Sequence, residues 1–257
     1  MIYIVIVRYG DWSEGCNLPS FIDDYDVEIL NIRTDKNTTI NRFSEFSGYQ
    51  YGLEQVLSSS DSNFLNIVFI NDTFFSSHLK ILAHSLLNDI LKRLSKNKNQ
   101  MVSGYSQALH QAPVDNMSFD LYFSTWIFAL SFERSSMSDF SFYSYKGVEI
   151  DLLKERLSKG YLSQNLRWLQ PESFFRGWHK AIPYKTIAVR DLNRKMNSII
   201  IEHMLLYQLK TIYRFKSLDF SMNGSLKYKV YFMFDRIFVN IMKIKFRLNF
   251  YITRLLS

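Results

Sequence analysis

The chain has 257 residues, 47% of them hydrophobic, enough for one α/β body with a C-terminal appendage and too many for global disorder. Its single cysteine, Cys16, excludes a disulfide framework or a cysteine-rich zinc site and fits a reducing cytoplasm. The net charge of +7 is gathered at one end, with seven Lys and Arg against Asp235 alone in 221–257; a nucleic-acid binder more often spreads its cations over the folded face.

Residues 1–8 are apolar and rich in β-branched side chains, and Arg8 interrupts the run. They read as a first strand, since a basic start and a small-residue cleavage site are both missing. A turn-rich segment, 18–25, leads to a second strand over 26–32, and the polar stretch 37–46 reads as a loop. Residues 47–57 read as a helix with Gly48 and Gly52 on one side, where its backbone can approach a neighbour closely. A third strand, 65–70, ends at Asn71-Asp72. Leu79, Leu82, Leu86, Leu87, Ile90, Leu91 and Leu94 then recur at helical spacing. After the basic loop 92–99, strands are predicted over 101–105 and 121–131. Beyond 131 the pattern weakens. Residues 135–145 are rich in Ser and aromatics, 149–169 and 191–209 read as helices, and 178–183 reads as a loop. No uncharged apolar run reaches about 18 residues, so no spanning helix is expected.

The tail, 221–257, reads as a basic amphipathic helix. At 100° per residue, Lys229, Arg236, Asn240, Lys243, Arg247 and Arg254 fall in an arc of about 60°. Phe232, Phe234, Ile237, Phe238, Ile241, Met242, Ile244, Leu248 and Ile252 occupy the other sides, broken by Lys245 and Asn249. Such a helix suits a membrane interface, with cations near anionic headgroups and aromatics inserted. Docking on the body or in a homodimer is the alternative.

Strand, helix, strand and an acidic turn give the layout of a nucleotide-binding α/β domain. In its first strand with Arg8-Tyr9-Gly10, its helix with Gly48 and Gly52, and Asn71-Asp72, the chain resembles GT-A-type glycosyltransferases of bacterial surface-polysaccharide pathways, over residues 1–132. The resemblance implies an α/β, Rossmann-like mixed sheet flanked by helices, over 1–220, with the tail as a membrane-associating or docking segment. It implies a transferase that moves a sugar from a nucleotide-diphosphate donor to a glycan hydroxyl, as in O-antigen, lipopolysaccharide or capsule synthesis. The tail would place it as a peripheral protein on the inner face of the cytoplasmic membrane, next to a lipid-linked acceptor. The family usually ends its central strand in Asp-x-Asp, whose last acid binds the donor's metal. Here the triplet is Ile70-Asn71-Asp72, so Asp72 is the one candidate ligand for Mg²⁺ or Mn²⁺.

Asp72 is also the residue type that opens a turn after a strand, with Thr73 capping the next helix. Arg8 can pair with phosphate and Tyr9 can stack on a base, with Gly10 beside them and Arg33 after strand two as the matching base or ribose contact. Glu202 and His203 interrupt the apolar run 199–206. The resemblance implies an acid that deprotonates the acceptor hydroxyl in inverting members, which makes Glu202 the first base candidate and His203 the second. The alternative is a solvated pair on the outside of a helix. Asp115 is another candidate acid. Gln164, Arg167 and Trp168 match the Gln-x-x-Arg-Trp box of processive sugar polymerases in three positions only. Arg167 and Trp168, like Trp178 and His179, are candidate acceptor contacts, since tryptophan faces stack on sugars. Two other readings stay open: a non-catalytic glycosyltransferase-like partner subunit, which the incomplete acidic triplet favours, and nucleic-acid binding through the tail.

Overall fold

The computed structural model of the chain describes residues 1–9, 17–34, 45–76, 78–109, 111, 113–114, 121–145, 147–153, 156–169, 189–220 and 226–255. Strand β1 (Ile2–Tyr9) is buried at every position from Ile2 to Val7, because its alternate side chains enter different cores on the two faces of the sheet. It pairs in parallel with β2 (Val27–Thr34) on one side and β3 (Phe64–Asn71) on the other. A 3-10 turn at Ser20–Asp24 precedes β2.

The crossover from β2 to β3 runs through α1 (Glu45–Ser59), which lies directly on β1. A Cβ built on Gly48 would stand 2.4 Å from Val7 Cγ1, and one on Gly52 2.3 Å from Val5 Cγ1. The two glycines therefore let helix backbone rest on strand side chains. After β3 come a short helix, α2 (Thr73–Ser76), and α3 (Lys80–Leu94), whose leucine stripe packs on the opposite face. Strand β4 (Met101–Ala108) and the long β5 (Leu121–Glu133) complete the sheet's second half, β5 running antiparallel to both β3 and β4. Beyond them lie the hairpin β6 (Ser144–Tyr145) and β7 (Val148–Glu149), α4 (Ile150–Leu153), α5 (Lys159–Leu169), α6 (Val189–Thr211), β8 (Lys216–Asp219) and α7 (Leu226–Leu255).

Among the described residues the main sheet has six strands in the order β2-β1-β3-β5-β4-β8, a mixed sheet flanked by helices and compatible with a Rossmann-like fold. Phe46, Tyr49 and Leu53 of α1 share one core with Ile200, Met204 and Leu209 of α6. Leu86, Leu87 and Ile90 of α3 share the other with Tyr228 and Phe232 of α7. Two aromatics from the Ser-rich stretch, Phe140 and Phe142, enter the first core, where Phe142 meets Phe46, Tyr49, Phe69 and Phe128.

Three sequence readings need correction. The helix predicted over 149–169 is divided: Val148–Glu149 pairs as β7, α4 ends at Leu153, and Leu157 forms a bridge with Val114 before α5 starts. Long-range backbone pairing here overrides local helical spacing. Glu45 and Phe46, at the end of the predicted loop, form the first turn of α1, where Phe46 is fully buried. Strand β8 has no counterpart among the predicted elements; it is short and polar, and its partner β4 supplies the ladder from more than a hundred positions away.

α7 docks its first half on the body. Tyr228 donates to Asp89 Oδ2 (2.5 Å), Phe232 stacks on Tyr105 with ring centroids 3.9 Å apart, and Asp235 accepts from Leu79 N (2.8 Å) and pairs with His78 Nδ1 (2.9 Å). Among the described residues no helix is long and apolar enough to cross a membrane.

Candidate active site

The sheet reverses its winding at β1, since β2 lies on one side of it and β3 on the other. In such sheets the crevice beyond the carboxyl ends of the strands at the reversal is where ligands bind. Arg8 is the next-to-last residue of β1 at that point, and beside it Asn71 ends β3 in register with Val7, with Asp72 following. The antiparallel β5 brings its starting residues to the same end, because Ile127 pairs with Ile70 and Thr125 precedes it.

Each strand end is fixed by short-range bonds. Thr34 Oγ1 donates to the Arg8 carbonyl (3.2 Å), tying the ends of β1 and β2 together. The Arg8 guanidinium carbon lies 6.0 Å from the centroid of the Phe75 ring, on the segment after Asp72. Asn71 is buried, and its Oδ1 accepts the Thr73 amide (3.0 Å), an Asx-type turn that starts α2. Asp72 contributes its carbonyl to the same turn, accepting from Phe75 N (3.1 Å), and its side chain stays partly exposed. The turn-opening role and the crevice-facing position therefore coincide in one residue.

Strand β5 carries an irregularity at this end. Gly104 pairs with Phe128, but the next residue, Tyr105, pairs with Ser124, which takes Thr125, Trp126 and Ile127 out of the β4 ladder. Bulged residues release backbone donors and re-aim side chains, often beside functional sites. Here the released Thr125 N–H donates to Glu202 Oε1 (3.0 Å) and the Thr125 hydroxyl donates to the same oxygen (3.1 Å). The Thr125 carbonyl accepts the hydroxyl of Tyr49 (2.7 Å), which stands between the two close-approach glycines of α1.

Glu202 lies on α6, where that helix packs on β5. Burial pushes its carboxyl up to about 7; the nearby Glu45 carboxylate pushes the same way, while Thr125 and Lys195 partly oppose the rise. Glu45 begins α1 and accepts from Ser198, one turn before Glu202 on α6 (3.1 Å). Burial also raises the Tyr49 hydroxyl well above its ordinary range, with the charges of Glu45, Asp72 and Glu202 adding to it. Its proton is thereby kept for the bond to Thr125.

His203 has a different character from its neighbour. Burial lowers its imidazole to about 4, and its Nδ1 pairs with the Tyr161 hydroxyl (3.1 Å) while its ring lies against Tyr122 (4.4 Å between centroids). It is neutral at pH 7 and locked among aromatics, which favours Glu202 over His203 as a proton acceptor. Arg33 stands exposed on β2, in register with Arg8 across the edge of the sheet. Gly48 and Gly52 face Val7 and Val5, so their place is in the packing of α1 on β1.

Gly10, Asp115, Trp178 and His179 lie outside the described residues, as do the side chains of Tyr9, Arg167 and Trp168; the last two fall on α5. Glu45, Tyr49 and Thr125 are not among the residues that the sequence singles out. The adjacent Ser124-Thr125 pair in a largely apolar strand is the signal that could have found the last. Among the described residues no group of three or more His, Cys, Asp or Glu is placed to hold a metal ion. Comparison with known protein families, with curated proteins and with solved structures gives no match.

Proposed function

We propose that the chain is a GT-A-type glycosyltransferase that moves a sugar from a nucleoside diphosphate donor to a glycan hydroxyl. The observation that carries this reading is a shared end of the sheet. Arg8 and Asp72 stand at the winding reversal, and Glu202, with a carboxyl raised to about 7, is bonded to the β5 bulge at that same end. Parallel strands joined by helices, then an antiparallel strand, also suit the resemblance seen in the sequence.

In this reading the donor diphosphate lies at the ends of β1 and β3, where the Arg8 guanidinium offsets charge that develops as the diphosphate leaves. Glu202 takes the proton of the acceptor hydroxyl as that oxygen attacks the sugar C1, with inversion there. A carboxylate titrating near 7 is well matched to this step, since it is substantially ionised at neutral pH yet basic enough to accept the proton. Thr125 holds one oxygen of Glu202 and leaves the other for the acceptor. Asp72, with diphosphate oxygens and water, is a donor set that Mg²⁺ or Mn²⁺ accepts, and such a cation would neutralise the leaving group.

A thermal-shift screen against UDP, GDP, CMP and TDP, with and without Mn²⁺, tests the donor site. A ligand that binds only the native state raises the midpoint. The reading expects one nucleotide to stabilise the protein and Asp72→Ala to abolish the effect. No response to any of the four, with the protein folded, contradicts it and favours the non-catalytic subunit.

A further inference from the structure

The outer face of α7 is unlike its docked face. Val230, Met233, Phe234, Ile237, Ile241, Ile244 and Leu248 are all exposed, with Ile241 at 58%. At 100° per residue they fall within an arc of about 100°, roughly opposite Tyr228, Phe232 and Asp235, which are buried against the body. Exposed cations border this stripe: Lys229 and Arg236 on one margin, Lys227 and Lys245 on the other. The one acid in 221–257, Asp235, is turned inward to His78 and Leu79.

From this we infer that the outer face of α7 binds an anionic lipid bilayer surface. The apolar stripe enters the headgroup boundary and the bordering cations meet lipid phosphates. Charge decides between this occupant and a second copy of the helix. The exposed apolar residues also follow a 3.5-residue spacing, which would suit a coiled coil. A second copy would set one basic helix against another, because the single acid of 221–257 is turned inward on each. An anionic surface complements Lys229, Arg236 and Lys245, while Lys227 also pairs with Asp89 of the body (3.5 Å).

The same helix is tied to the candidate active site. Asp235 holds His78 in the segment after Asp72, and the His78 ring stacks on Trp126 of the β5 bulge, 4.1 Å between centroids. A bilayer on α7 therefore sits in a fixed relation to the crevice. That the bilayer also presents the acceptor rests on the proposed glycosyltransferase reading; lipid binding itself does not.

The test is flotation of the full chain with phosphatidylcholine vesicles, with and without phosphatidylglycerol. The expected result is binding to the phosphatidylglycerol vesicles that weakens as salt is raised. Ile237→Glu with Ile241→Glu should weaken it at least about tenfold. Both positions are exposed, so helix content and Tm should hold; Lys229→Glu with Lys245→Glu provides a second variant, which should remove the salt-sensitive part. No binding to anionic vesicles at low salt overturns the inference, as does binding that both variants leave unchanged. A wild-type dimer that Ile237→Glu with Ile241→Glu converts to monomer, without lipid binding, assigns the face to a second copy and overturns it too. Failure here leaves the nucleotide screen unaffected, so the two ideas fail separately.

Discussion

Glu202→Gln isolates the energetic consequence of placing a carboxyl in this site. Raising the group from an ordinary 4.5 to about 7 means the folded state favours the protonated form. Stability linked to Glu202 is therefore fully present below about 4.5 and is lost as pH rises through 7, by up to about 3 kcal/mol. Glutamine resembles the neutral acid, and its Oε1 can still accept both bonds from Thr125. The variant should thus be more stable than the wild type at pH 8 by up to about 3 kcal/mol, with the gap closing towards pH 4.5. In a chain of this size each kcal/mol moves Tm by roughly 2–4 °C, so the shift is readily measured. Urea unfolding at a series of pH values gives the difference directly. A variant less stable than wild type at pH 8, or a gap that ignores pH between 5 and 8, would mean that burial does not hold the Glu202 proton.

His203 should titrate in the opposite sense. Its folded value is lowered to about 4, so its contribution is present above 6.5 and lost as pH falls through 4. In the wild type the two neighbours offset each other; unfolding of His203→Gln should show stability rising on acidification from pH 7 to 5, and an unchanged pH slope would count against the buried neutral imidazole. Gly52→Ala drives a methyl to 2.3 Å from Val5 Cγ1, so α1 must lift from β1. A loss of about 1–3 kcal/mol is expected in urea unfolding, and a neutral result would mean the helix sits farther from the strand than described.

The first half of the fold is legible because its elements carry their own signals. Strand β1 is a continuous β-branched run, and α3 repeats leucine at helical spacing, so neither depends on a distant partner to be recognised. Gly48 and Gly52 mark a close approach by their spacing alone, and Val7 and Val5 are the neighbours they meet. Pairing at long range leaves no such mark. Strand β8 exists through β4, and the break before α5 exists through Val114. The candidate site divides in the same way. Glu202 stands out as a carboxylate in an apolar run, but its holder Thr125 and its neighbour Glu45 are separated from it by 77 and more positions. Only the bulge in β5 and the packing of α6 bring them together. The tail's periodicity is visible, whereas the face that docks is not, because it is set by Tyr105, Asp89 and His78 on the body.

The most direct test of the central claim is release of nucleoside diphosphate from the sugar nucleotide whose nucleotide stabilises the protein, measured against pH with a glycan acceptor present. The proposed function predicts turnover by the wild type that rises with pH through about 7, as Glu202 ionises, and a fall of at least about a hundredfold in Glu202→Gln with nucleotide binding retained. Nucleotide binding without turnover by the wild type, or full turnover by Glu202→Gln, would contradict it.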